Sequence, residues 1–81
     1  MKVNLLYFSS IKDRLGKSRE EVELPDGSKI SDLYKLLEEK YPQIAESLPS
    51  VMFAVNEEYA DRNTQLKEGD TVALIPPVSG G

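Results

Sequence analysis

Ile30-Ser31-Asp32-Leu33-Tyr34-Lys35-Leu36-Leu37-Glu38-Glu39-Lys40-Tyr41 is the stretch on which the fold turns. Ile30, Leu33, Tyr34, Leu37 and Tyr41 recur at spacings of three and four, and Leu36 widens the apolar stripe. That period predicts a helix with one buried face. Asp32 stands where a helix start favours an acid and Lys40 where its end favours a base. Ser28 and Ser31 both qualify as its cap, and neither completes a capping box. Pro42 closes it.

On either side of this helix the pattern changes to strands. Residues 3–8 are apolar and rich in β-formers, an opening strand. Ser9-Ser10 offers a cap for a brief helical turn over 11–15, with Gly16 as its stop. In residues 19–24 Val22 and Leu24 alternate with charge, which predicts a half-buried strand ended by Pro25-Asp26-Gly27. Beyond the helix, 44–48 reads as one more turn before Pro49, and 51–55 as a strand covered on at least one face. Asn56-Glu57-Glu58 reads as a turn, Tyr59 as the start of a short strand, and Leu66 as an inward anchor in a loop. Glu68-Gly69-Asp70 then turns into a last strand over 71–75.

A hairpin, one long helix and further strands imply an α+β domain, a single mixed sheet with the helix laid across one face. A chain of 81 residues holds one core, and so small a core needs nearly every apolar side chain. Val3, Leu5, Val22, Leu33, Leu37, Val55, Val72 and Leu74 are assigned to it. The domain is expected to span 1–75, with 76–81 as an extended tail.

Composition removes most chemistry. The chain has neither cysteine nor histidine, so thiol nucleophiles, disulfides, soft metal ligands and the commonest neutral-pH base are all missing. A net charge of −4 argues against nucleic acid and mildly favours partners with a basic docking face. No apolar run approaches the roughly 18 residues of a membrane span, and the N-terminal segment lacks the pattern of a secretion signal. The expected location is the cytoplasm.

The tail is the unusual feature: Pro76-Pro77-Val78-Ser79-Gly80-Gly81. Two prolines fix φ and lack N–H groups, so they direct the chain out of the sheet on a stiff base. The segment extended reaches roughly 20 Å, enough to enter a deep cleft on another protein. Diglycine is the narrowest thread a polypeptide makes. A carboxylate at its end is a poor electrophile until a partner that spends ATP converts it to an acyl adenylate. It can then take sulfur to become a thiocarboxylate, or an amine to become an amide. This chain has no P-loop motif of its own, so activation is expected in trans.

Other groups are weaker. Glu20, Glu21 and Glu23, or Glu57 and Glu58, are read as solvated faces and not acid/base pairs. Residues 61–65 lack calcium-loop spacing, and the four tyrosines are not interleaved with basic residues. Lys2, Lys12, Arg14 and Lys17 form a modest basic cluster able to orient an acidic partner surface.

The ending Thr71-Val72-Ala73-Leu74-Ile75-Pro76-Pro77-Val78-Ser79-Gly80-Gly81 resembles that of the small subunits of molybdopterin synthase, the sulfur carriers of molybdenum-cofactor synthesis. In that family an apolar strand runs into Pro-Pro-Val, then Thr or Ser, then Gly-Gly. Tyr7-Phe8 with Ile11-Lys12-Asp13 and Gly16, Ala54-Val55-Asn56, and Leu66 with Gly69-Asp70 extend the resemblance over essentially the whole chain. Many relatives carry Phe where Leu74 and Ile75 stand, and Ser79 replaces a commoner Thr.

The resemblance implies a β-grasp, ubiquitin-like fold and a sulfur-donating subunit that is not catalytic alone. Gly81 would be adenylated by an ATP-dependent enzyme like those that activate ubiquitin, then thiolated, with Gly80 easing its threading into the large catalytic subunit of a heterotetrameric synthase. There it would give sulfur to cyclic pyranopterin monophosphate, two deliveries making the dithiolene. No cofactor is expected on this chain; ATP is used by the activating partner. Phe8, Leu74 and Pro76, with Pro77, Val78 and Ser79 of the tail, are the docking residues it suggests. The thiamin-pathway sulfur carrier and a ubiquitin-like modifier, in which Gly81 ends in an isopeptide bond, share the diglycine end. A plain interaction module is the non-chemical reading.

Overall fold

The computed structural model describes residues 1–77. Five strands form one mixed sheet: β1 (Lys2–Tyr7), β2 (Arg19–Glu23), β3 (Met52–Val55), β4 (Glu58–Ala60) and β5 (Thr71–Ile75). Their order is β2-β1-β5-β3-β4, and β5 runs parallel to β1 while the other pairings are antiparallel. Helix α1 (Ser9–Leu15) joins β1 to β2, and the long helix α2 (Ile30–Lys40) leads from β2 towards β3. The order read from the sequence is the order found, with strand ends shifted by a residue.

The helical stripe does what its period predicts. Ile30, Leu33, Tyr34 and Leu37 are buried against Val3, Leu5, Tyr7, Val22, Phe53, Val72 and Leu74 from the sheet. Leu66 reaches the same core from its loop, held by its N–H to the Ser28 carbonyl at 2.8 Å. Of the expected core only Val55 is merely half-buried, because it ends its strand beside the β3–β4 turn.

Three local expectations are corrected. Neither Ser28 nor Ser31 caps α2: the N-cap is Lys29, whose N–H donates to Asp32 Oδ2 at 2.8 Å, the half of a capping box that needs no acceptor on the cap side chain. Ser9 and Ser10 lie inside α1 rather than ahead of it; Phe8 is the N-cap and makes no side-chain cap bond. The extra turn expected over 44–48 is two 3₁₀ turns, Pro42–Ile44 and Leu48–Ser50, each with a proline in its first two positions, Pro42 and Pro49, where no N–H is lost to the helix. Gly16 stops α1 as read, at φ 70° with its N–H on the Lys12 carbonyl.

The β3–β4 connection has only Asn56 and Glu57 between the strands, at φ 51° and 73°. Two successive left-handed residues match the twist of a two-residue hairpin, and Asn tolerates that conformation. Asn56 also ties the hairpin to β5: its Oδ1 accepts from Thr71 N–H at 3.0 Å and its Nδ2 donates to Asp70 Oδ1 at 2.9 Å. The start of β5 is thereby set against β3.

Leu37 is fully buried at the helix–sheet contact. Leu37→Ala is expected to lower the free energy of unfolding by about 2–5 kcal/mol, read from urea denaturation, without changing the far-ultraviolet spectrum of the folded state.

Candidate functional site

Strand β5 sits between β1 and β3 and carries the chain to the tail. Successive side chains of a strand point to opposite faces. Val72 and Leu74 are fully buried under α2, so Ala73 and Ile75 face outward. In register, Leu6 lies beside Ala73, and Met52 and Ala54 lie opposite Ile75 and Ala73. Tyr59 pairs with Ala54 on the same face. Phe8 extends the row just beyond β1.

These side chains make an apolar face on the side of the sheet away from the helix. Phe8, Met52 and Tyr59 are the large apolar side chains exposed there, at 44%, 52% and 71%. Leu6, Phe8, Ala54, Tyr59, Ala73 and Ile75 line a shallow open depression of about 340 Å³, with Glu57 on its border. A contiguous apolar face of this kind beside polar strands marks a surface that another macromolecule covers.

The docking residues expected from the sequence divide accordingly. Phe8 is on this face. Leu74 is not: it pairs with the buried Tyr7 in the parallel register and is fully enclosed, so it is a core residue. The period-2 geometry forbids Phe8 and Leu74 from sharing a face, and Ile75 takes the place assigned to Leu74. Pro76 is buried and Pro77 exposed, so the chain leaves the core between them. Val78, Ser79, Gly80 and Gly81 lie outside the described residues. Leu6, Met52, Ala54, Tyr59, Ala73 and Ile75 were missed; the alternation of 71–75 held the signal for Ala73 and Ile75.

Glu20 is corrected as well. It does not lie on a solvated face: its side chain is only 12% exposed and points to the helix side of β2. Tyr7 Oη donates to it at 2.6 Å, Tyr41 Oη at 2.7 Å, Lys40 Nζ at 2.9 Å and Lys17 Nζ at 3.4 Å. Burial by itself opposes ionisation, but the hydrogen bonds from Tyr7, Lys40 and Tyr41 outweigh it and bring the carboxyl down to about 2. Burial, followed by the bond and charge of Glu20, pushes the Tyr7 phenol well above its ordinary range. With its lone pairs occupied by four donors, Glu20 is a clasp between β2 and the end of α2, not a base. Glu21, Glu23, Glu57 and Glu58 are exposed, as read.

The carboxyl of Glu20 is lowered on folding, so its contribution is fully present above the ordinary glutamate range and is lost as pH falls from about 4.5 towards about 2. Glu20→Gln is therefore expected to cost about 2 kcal/mol at neutral pH, with the gap to the parent protein closing over that acidic window in a pH series of urea unfolding curves.

Comparison with known proteins agrees with this geometry. The ThiS family model matches residues 5–81. A molybdopterin synthase sulfur carrier subunit of Mycobacterium tuberculosis is 40% identical over 82 aligned positions, covering 100% of this chain and 99% of the relative. Subunit 1 in the solved complex of subunits 1 and 2 of the molybdopterin-converting factor from Helicobacter pylori superposes with a TM-score of 0.76 at 32% identity, covering 100% of both chains. A candidate molybdopterin converting factor subunit 1 from Pyrococcus furiosus superposes with a TM-score of 0.88 at 31% identity, covering 96% of this chain and 99% of that one. The sheet order, the helix across one face and these superpositions make the fold a β-grasp, and the chain belongs to the ThiS family, among the sulfur carrier subunits of molybdopterin synthase.

Proposed function

We propose that this chain carries sulfur on Gly81 and delivers it inside the large subunit of molybdopterin synthase. The observation that carries the reading is the full-length match to sulfur carrier subunits at 40% identity, through a family match that runs to Gly81. In the first step the Gly81 carboxylate attacks the α-phosphorus of ATP on an adenylating partner and pyrophosphate leaves. A sulfur nucleophile then displaces AMP, leaving a thiocarboxylate. Its sulfur passes to cyclic pyranopterin monophosphate, and water returns the carboxylate; a second round completes the dithiolene.

The chain supplies little of this chemistry itself. It has no histidine, no cysteine and no P-loop, so bases, thiols and nucleotide contacts come from its partners. Its own part is to dock and to aim. The apolar face of Phe8, Ile75, Ala73 and Tyr59 lies next to the point where the chain leaves the core between Pro76 and Pro77, so a partner covering that face would meet the chain there. Val78, Ser79 and Gly80 serve as the thin spacer. A cytoplasmic setting belongs to the same reading. Among the described residues no helix is long and apolar enough to cross a membrane.

Two measurements test this. After incubation with ATP, the adenylating enzyme and a sulfur donor, the intact mass is expected to rise by the difference between sulfur and oxygen, and one residue appended after Gly81 is expected to abolish both that shift and sulfur transfer while leaving the unfolding curve unchanged. Retention of transfer by the extended chain would exclude Gly81 as the reacting residue. Separately, Phe8→Ala is expected to weaken binding to the large subunit by about 1–2 kcal/mol in calorimetry, with folding stability altered by less than about 0.5 kcal/mol.

A further inference from the structure

The helix side of the molecule carries a charged feature that the sulfur-carrier reading does not use. Of the basic cluster noted in the sequence, Lys2 is drawn away, lying on the outer face near Glu21 at 4.0 Å. Arg14 and Lys17 instead converge with Lys40 on the end of α2. Arg14 Nη1 donates to the Gln43 carbonyl at 3.2 Å, and Lys17 Nζ donates to the Tyr41 hydroxyl at 3.0 Å. Lys40 Nζ meets Glu20 at 2.9 Å. The two ammonium groups lie 5.4 and 5.5 Å from the centre of the Tyr41 ring.

The charges here do not balance. Among the described residues, Glu20 is the one carboxylate within 4.0 Å of any of these three cations, and Lys17 and Lys40 share it. It is also the enclosed member: the two lysine side chains are 41% and 43% exposed while Glu20 is 12% exposed. Negative charge is therefore held inside the clasp and positive charge is turned to solvent. Arg14 adds a third exposed cation on the same 40–43 segment. In a chain of net charge −4 these three side chains present exposed cationic groups close together.

We propose that this corner is a docking surface for an acidic polypeptide segment of a partner protein. Carboxylates of such a segment would reach Arg14, Lys17 and Lys40 from outside while Glu20 holds the lysines in place from within. Held side chains lose less freedom on binding than mobile ones, which favours this corner over an isolated surface lysine. The surface is on the helix side of the sheet, opposite the apolar face beside the tail. A partner recruited here leaves that face and the tail uncovered, so the corner can be occupied while the carrier is engaged elsewhere. The proposal does not depend on what Gly81 does.

The test uses the full chain, labelled with nitrogen-15, and a blocked peptide of alternating Glu and Gly. Amide shifts are expected to concentrate at Arg14, Lys17, Lys40, Tyr41 and Gln43 and to shrink as ionic strength rises. Arg14→Glu leaves the Glu20 clasp intact and is expected to weaken binding about threefold to tenfold, with the unfolding curve unchanged. Lys17→Gln, which retains Lys40 on Glu20, is expected to weaken it to a similar or smaller extent. The proposal is overturned by the absence of shifts at this corner, by equal shifts with the matching peptide of Lys and Gly, or by Arg14→Glu binding as tightly as the parent chain.

Discussion

The alternation of side chains along β5 is the constraint on which both halves of this molecule rest. A strand has two faces and nothing between them, so five residues must serve two purposes at once. Val72 and Leu74 close the core against α2, and Ala73 and Ile75 build the outer apolar face. Because β5 is central, flanked by β1 and β3, its register fixes which residues of both neighbours join each face. A slip of one residue would exchange core and surface, exposing Val72 and Leu74 and turning Ala73 and Ile75 inward in their place. The chain leaves the core between Pro76 and Pro77, just past the end of that register.

Several weaker interactions serve to keep that register. Asn56 bonds the hairpin turn to Thr71 and Asp70, and the Gly69 N–H on the Lys2 carbonyl brings the start of β5 beside the start of β1. The φ of 83° at Gly69 is open to glycine and strained for other residues. Farther out, the Glu20 clasp joins the edge strand β2 to the end of α2, where few apolar contacts would otherwise hold an outermost strand. A buried carboxylate with four donors is costly to remove by halves: loss of the carboxylate leaves two tyrosine hydroxyls to find water. The sheet is thus pinned at its centre by packing and at its rim by hydrogen bonds.

This arrangement separates two surfaces by sheet face. The outer face is apolar and adjoins the exit of the chain at Pro76 and Pro77; the helix side is charged and presents Lys17 and Lys40 around the enclosed Glu20. A carrier that hands its cargo from one protein to another gains from such a division, because contact on one face does not consume the other. The chemistry of the two surfaces also differs in kind. Burial of Phe8 and Ile75 would give affinity that salt hardly alters, whereas the Arg14, Lys17 and Lys40 corner would act at longer range and weaken with ionic strength.

Much of this was legible in the residues. The helical period of Ile30, Leu33, Tyr34 and Leu37, the prolines and glycines that end elements, and the apolar runs of the strands are local signals, each set by the chain within a turn or two of itself. The elements and their order followed from them, and the stiff Pro76-Pro77 root with its diglycine end drew attention to the tail. What no local signal carries is which pieces meet. The clasp at Glu20 takes donors from β1, from α2 and from the segment after α1, up to 21 residues away in the chain, so its sequence context reads as one more solvated glutamate. The docking place offered for Leu74 gave way to its expected place in the core through its register with Tyr7 and Phe53, whereas the cap of α2 turned on a local bond, from the Lys29 N–H to Asp32 three residues on. Sequence by itself determined the periods, the breaks and the chemistry on offer; the tertiary structure decided faces, registers and partners, because those are set by contacts between residues the chain has first to bring together.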